Sequence, residues 1–143
     1  MGFLKRVTVV LLVFGATACA RKTISAPTNT GNNKLADSWQ WLRTDGGLAF
    51  HIHNTPLSTG NAVVLKINSD STYAFYTNNA LTEKGTYTLQ WHKCIHDGTE
   101  KNKLVFSSGN ALMIEKMAGD TLTLSDEHHD GLSSQYLRAA AIK

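Results

Sequence analysis

The sequence has only two cysteines and two prolines in 143 residues, and just 17% of it is charged. Two cysteines cannot build the several bridges that hold a small disulfide scaffold together. Two prolines and eleven glycines exclude collagen-like and proline-rich chains. The formal charge of +3 has no like-charge run behind it. Phosphate recognition needs a basic patch, so no nucleic-acid partner is expected. A G-x-S-x-G elbow, a Gly-rich phosphate loop and a catalytic-cysteine signature are all missing. No catalytic residue is assigned, and an enzyme is not expected. No apolar run reaches the roughly 20 residues a membrane-spanning helix requires. What is present is 42% hydrophobic residues in a length that suits one domain with its own core.

The N-terminus reads as an address. Lys5 and Arg6 precede an apolar stretch, residues 7–15, of signal-peptide length. Ala16, Thr17 and Ala18 then lead into Cys19, a run that resembles the lipobox of bacterial lipoproteins. The resemblance implies a signal peptide over residues 1–18 and acyl chains on Cys19. The competing reading is ordinary A-x-A cleavage after Ala18, releasing a secreted protein. Anchoring would come from the lipid, at about 0.8 kcal/mol per buried methylene and with at least two chains. Removing Lys5 and Arg6 leaves 12 basic against 11 acidic side chains, so little charge remains to attract a membrane surface. Residues 19–36 are expected to form the acylated cysteine and a flexible tether, rich in Ser, Thr, Asn and Gly, with a reach of roughly 20–25 Å. No acidic residue stands close behind Cys19. By comparison with lipoproteins, that points to the cell envelope of a Gram-negative-type bacterium, on the outer membrane and facing the periplasm. With Cys19 acylated, Cys94 has no partner and is expected to be a partly buried, inert thiol.

Beyond Asp37 the signal has period two. Trp39, Trp41 and Arg43 share one face of residues 38–43. Val63, Leu65 and Ile67 follow, then Tyr73 with Phe75, and Tyr87, Leu89 and Trp91. Leu104 with Phe106, Leu112 with Ile114, Leu122 with Leu124, and residues 132–138 continue the series. Such alternation marks half-buried strands. Turn residues separate the runs, among them Asn78-Asn79 and Gly119-Asp120, whose types tolerate positive φ. Short turns make neighbouring strands antiparallel. About eight strands in residues 37–143 must hide one apolar face. Closing the sheet on itself does so and removes the edges. The expected fold is all-β, a small antiparallel up-and-down barrel, with a monomer as the expected state.

Trp39 near the start of the first strand, the Trp41-x-x-Thr44-x-Gly46-Gly47 and Gly85-Thr86-Tyr87 runs and the terminal Tyr136-x-Arg138 resemble lipocalin-like bacterial lipoproteins. Asp37 stands where the lipocalin pattern has glycine two residues before the tryptophan. The resemblance implies that Trp39, with Trp41 as the other candidate, plugs one barrel end under Arg138. It also implies a loop closing over one end, and residues 46–60 are the least regular part of the chain. Phe50 and Ile52 are candidate linings of an apolar entrance there, or else pack on the barrel wall. Tyr73, Phe75, Tyr87 and Trp91 are either ligand lining or plain core, because an eight-stranded barrel can be filled by side chains or leave room for one small ligand.

Six histidines are the remaining temptation: His51, His53, His92, His96, His128 and His129. Their spacing matches no tight metal motif, and neither a metal nor a cofactor is expected. The charged stretch 126–130 reads as a solvated hairpin loop. Two functions stay open: a lipid-anchored barrel binding a small hydrophobic ligand, and a filled barrel that meets an envelope partner or an inhibited enzyme.

Overall fold

The computed structural model describes residues 35–139. The expected signal peptide, Cys19 and all but the last two residues of the expected tether lie outside that range. Nine strands follow in chain order: β1 (Asp37–Gly46), β2 (Ile52–Asn54), β3 (Val63–Ile67), β4 (Thr72–Thr77), β5 (Ala80–Lys93), β6 (Glu100–Phe106), β7 (Ala111–Ala118), β8 (Thr121–Ser125) and β9 (Leu132–Arg138). Every pairing is antiparallel, and β9 returns to pair with β1. Eight strands therefore close into an up-and-down barrel. The ninth, β2, adds to the upper half of β1 beyond its pairing with β3.

The turns follow from their residues. Asn78 and Asn79 both take positive φ in the two-residue link between β4 and β5, the backbone twist that a tight hairpin requires. At Gly46 φ is +137°, and a Cβ there would stand 2.2 Å from the carbonyl oxygen of Gly131. Only glycine lets β1 and the start of β9 approach that closely. Between β1 and β3 the chain makes a 3-10 turn over Leu48–Phe50 and one short helix, α1 (Pro56–Thr59). Thr55 caps α1 through the backbone N–H of Ser58, with Pro56 in the first turn.

The interior is the face that the alternation selects. Trp39 lies opposite Leu65 in β3 and opposite Arg138 in β9. Together with Ile67, Tyr73, Tyr87, Leu104, Leu122 and Leu124 it makes one buried cluster inside the wall. Three sequence expectations need correction. Leu35 is no part of a tether: it is 1% exposed, packs in the core, and its carbonyl accepts the Trp39 indole N–H at 2.8 Å. Arg43 does not share the face of Trp39 and Trp41. A bulge between Trp41 and Arg43 adds Leu42, so Thr44 takes the inward place and Arg43 turns out to pair with Asp45 at 3.1 Å. Trp91 has the parity of Tyr87, but β5 runs past the enclosed part of the barrel, and Trp91 is 57% exposed.

A second buried cluster lies on the outer surface. Leu104 faces in opposite Leu112, so the next pair, Lys103 and Met113, faces out. Met113 is nevertheless fully buried, with Ser125 opposite it and Cys94 beside the same wall. Loops 94–99 and 126–131 fold together here. Glu127 accepts the backbone N–H of Ile95 at 3.3 Å, and His96 reaches the carbonyl of Asp126 at 3.3 Å.

Candidate functional site

The two ends of the barrel differ. At the end where β1 begins, Trp39 fills the lumen, and the Arg138 guanidinium stacks 4.5 Å from the centre of its ring. Arg138 is held there by ion pairs to Asp37 and, at 3.2 Å, to Asp120. This end is shut. Trp41 does not share that duty: it sits deeper toward the opposite end, its indole N–H donating to Thr44 Oγ1 at 2.9 Å, with Ser134 Oγ 2.7 Å beyond.

The opposite end is a mouth. Val63 of β3, Phe75 and Thr77 of β4, Glu83 of β5, Phe106 of β6 and Leu112 of β7 surround a cavity of about 550 Å³. Asp126 and His128 of the loop after β8 close its rim. A smaller hollow of about 320 Å³ shares Val63 and continues past Trp41, Thr44, Ser134 and Tyr136 beneath Thr59 and Asn61. The floor is aromatic: the rings of Tyr73 and Phe106 lie 4.5 Å apart, and Phe75 and Phe106 meet edge-on at 5.8 Å. Burial raises the Tyr136 hydroxyl to about 12. The size matches concave sites that take small molecules, and the lining is mixed, with Thr77, Thr82, Glu83 and Asn110 beside the apolar groups.

Glu83 is the functional candidate that the sequence reading missed. Glu83 has the inward parity of Gly85 and Tyr87, and a bulge opposite Phe75 and Tyr76 sets Thr82 aside so that Glu83 lies directly opposite Phe75. Its Oε1 accepts the Tyr73 hydroxyl at 2.5 Å. Counting back by twos from Tyr87 reaches Gly85 and then Glu83, which is the signal that locates it. Of the expected lining residues, Phe75 borders the cavity, while Tyr73 and Tyr87 are buried beneath it. Tyr87 donates to the carbonyl of Asn68 at 3.0 Å, and burial raises its hydroxyl above the ordinary value. Phe50 and Ile52 do not line the mouth. Phe50 is 75% exposed, and Ile52 is half-buried, with its side chain close to Gly47.

Phe50 instead borders a separate hollow of about 370 Å³ on the outside of the wall, with Glu115, Ser125, His96 and His129. Ala49 and Phe50 both take positive φ beside it, a backbone state that side chains resist. The nearby Glu115 accepts from Ser125 Oγ at 2.6 Å, from Cys94 Sγ at 3.6 Å and from Lys101. Burial raises its carboxyl, and the Lys101 and Ser125 hydrogen bonds outweigh that to hold it below the ordinary glutamate range.

Among the described residues no histidine belongs to a group of metal-type ligands. His53 pairs with Asp45 at 2.9 Å and His92 with Glu127 at 2.7 Å, His96 and His129 border the outer hollow, and His128 borders the mouth. Ligand atoms of Cys94, Asp97 and Glu115 do come within 4.8 Å of one another. The Lys101 ammonium bonds both carboxylates, so the chain's own cation already serves that cluster. Among the described residues no helix is long and apolar enough to cross a membrane. No family model, no curated protein and no solved structure matches the chain.

Proposed function

We propose that the protein is a lipid-anchored, lipocalin-like component of a bacterial cell envelope whose barrel mouth binds a small hydrophobic ligand. One observation carries the binding half of this reading: a cavity of about 550 Å³ floored by Val63, Phe75, Phe106 and Leu112, at the end opposite the Trp39 plug. An apolar guest there would displace water from aromatic surface, worth roughly 25 cal/mol per Å² of apolar area covered. The anchoring half rests on the sequence alone, on Lys5, Arg6, the apolar stretch 7–15 and Cys19. Anchoring through acyl chains at Cys19, with the outer membrane facing the periplasm as its place, is part of the proposal.

Two measurements test it. Native mass spectrometry of the protein taken from its own envelope is expected to show a copurified lipid-like mass; a bare chain that also ignores added hydrophobic probes contradicts binding. Metabolic labelling with palmitate is expected to mark the wild-type chain and not Cys19→Ser; an unlabelled wild type contradicts anchoring.

The alternative, a filled barrel acting as an interaction module, is favoured by one observation. Leu48, Phe50 and Leu57 are 68%, 75% and 96% exposed on the segment between β1 and β3. Exposed apolar groups on one segment are the kind that partner surfaces cover.

A further inference from the structure

Charge, not only size, distinguishes the mouth. Its lining carries two carboxylates, Glu83 and Asp126, and neither lysine nor arginine; the single basic group is the imidazole of His128. The lysines of the neighbouring strands are turned away. Lys84 lies opposite the outward Ala74, and Lys103 opposite the outward Met113. Glu83 spends one oxygen on Tyr73, and among the described residues nothing hydrogen-bonds the other. Asp126 spends Oδ1 on the backbone N–H of Leu132 at 3.0 Å. The result is a cup of mixed apolar and polar lining whose only fixed charges are negative.

On the reading that this cup binds an apolar guest, we infer that its ligand is an amphiphile with a cationic, alkylammonium-type head, and that fatty-acid-type carboxylates are rejected. The tail lies over Phe75, Phe106 and Leu112, and the ammonium donates to the spare oxygens of Glu83 and Asp126. Hydrogen bonds to a charged acceptor are stronger than neutral ones and more so away from bulk water. A carboxylate head in the same place meets like charge without a strong donor, and specificity arises from that penalty as much as from attraction.

The test is calorimetry of octylammonium, octanol and octanoate with the full chain at about pH 8, where the amine probe is protonated and the acid probe ionised. The three probes share one tail. Octylammonium is expected to bind at least about tenfold more tightly than octanoate, with octanol between. Glu83→Gln is expected to bring octylammonium most of the way toward the octanol value, Asp126 keeping the rest, and Phe50→Ala, in the outer hollow, to change nothing. Should Glu83→Gln fail to fold, salt reads the same interaction: octylammonium affinity falls, and octanol affinity does not, as ionic strength rises from about 0.01 to 1 M. Equal affinities for octanoate and octylammonium overturn the charge selection and leave ligand binding standing. Loss of binding in Phe50→Ala moves the site to the outer hollow and also overturns it. Failure of all three probes to bind overturns the ligand-binding reading itself, and the selection with it.

Discussion

At the closed end of the barrel the inward positions carry bulky groups: Trp39, Leu65, Ile67 and Leu122 interlock with little surface exposed. At the mouth the same strands, followed a few residues along, deliver Thr44, Val63, Thr77 and Ser134, with Glu83 among them. Inward and outward positions alternate at both ends, with bulges at Leu42 and Thr82 shifting the count between them. What changes is side-chain volume and polarity, and with them the role. Close packing at one end supplies rigidity and a stable closure, whereas smaller and polar residues at the other leave space that a guest can occupy. On the ligand-binding reading, stability and recognition are thereby separated along one set of strands, as they are in sites carried on a rigid scaffold.

The largest effect should come from the plug. Trp39→Ala is expected to cost about 3–5 kcal/mol in urea unfolding, since the indole is fully buried and its space cannot collapse around Arg138. A cost near that of a surface change would place the plug outside the stabilising core and erase the contrast between the ends. Alkali probes the deep wall of the mouth. Tyr136 ionises at about 12 in the fold and about 10 when unfolded. Its folded pKa is raised, so its contribution is complete below about pH 10 and is lost as pH climbs toward 12. Up to roughly 2–3 kcal/mol should disappear over that window, and Tyr136→Phe should flatten the loss. An unchanged alkaline slope in Tyr136→Phe would mean that another group is responsible.

Gly85→Ala sharpens the boundary between the ends. Its Cβ would stand 2.2 Å from Ser107 Oγ and 3.1 Å from the Tyr73 ring. The expected cost is about 1–3 kcal/mol, accompanied by displacement of Tyr73 and weaker binding above it. Val63→Ala, at the mouth, is the smallest in stability. A half-buried valine loses about 1 kcal/mol, yet ligand affinity should fall more than stability does. Equal losses in both readouts would show that the mouth is merely a thinner part of the core.

The barrel was legible because period two and turn chemistry are local. Trp39, Leu65, Tyr73 and Leu122 all fall on the face that alternation assigns them. The Asn78-Asn79 link likewise adopts the positive φ its residues suggest. The departures come from features that alternation does not encode. The bulge at Leu42 reverses the facing of Arg43, and although counting by twos from Tyr87 gives Glu83 its inward face, the bulge at Thr82 decides that Phe75 is its partner. Burial of Met113 and Cys94 depends on two loops distant in sequence meeting on the outer wall. Trp91 has inward parity on a strand longer than the enclosure. Phe50 was a reasonable entrance residue by composition, and only the turn at Gly47–His51 shows that it borders the outside.

The central claim is that the mouth is a binding cup while the opposite end is solid. Titration of the isotope-labelled full chain with octanol, followed by side-chain methyl and aromatic NMR, tests it most directly. Shifts confined to Val63, Phe75, Phe106 and Leu112, with Trp39, Leu65 and Leu122 silent, are what the cup predicts. Silence throughout, or shifts gathered around Phe50 and His129 instead, would contradict it.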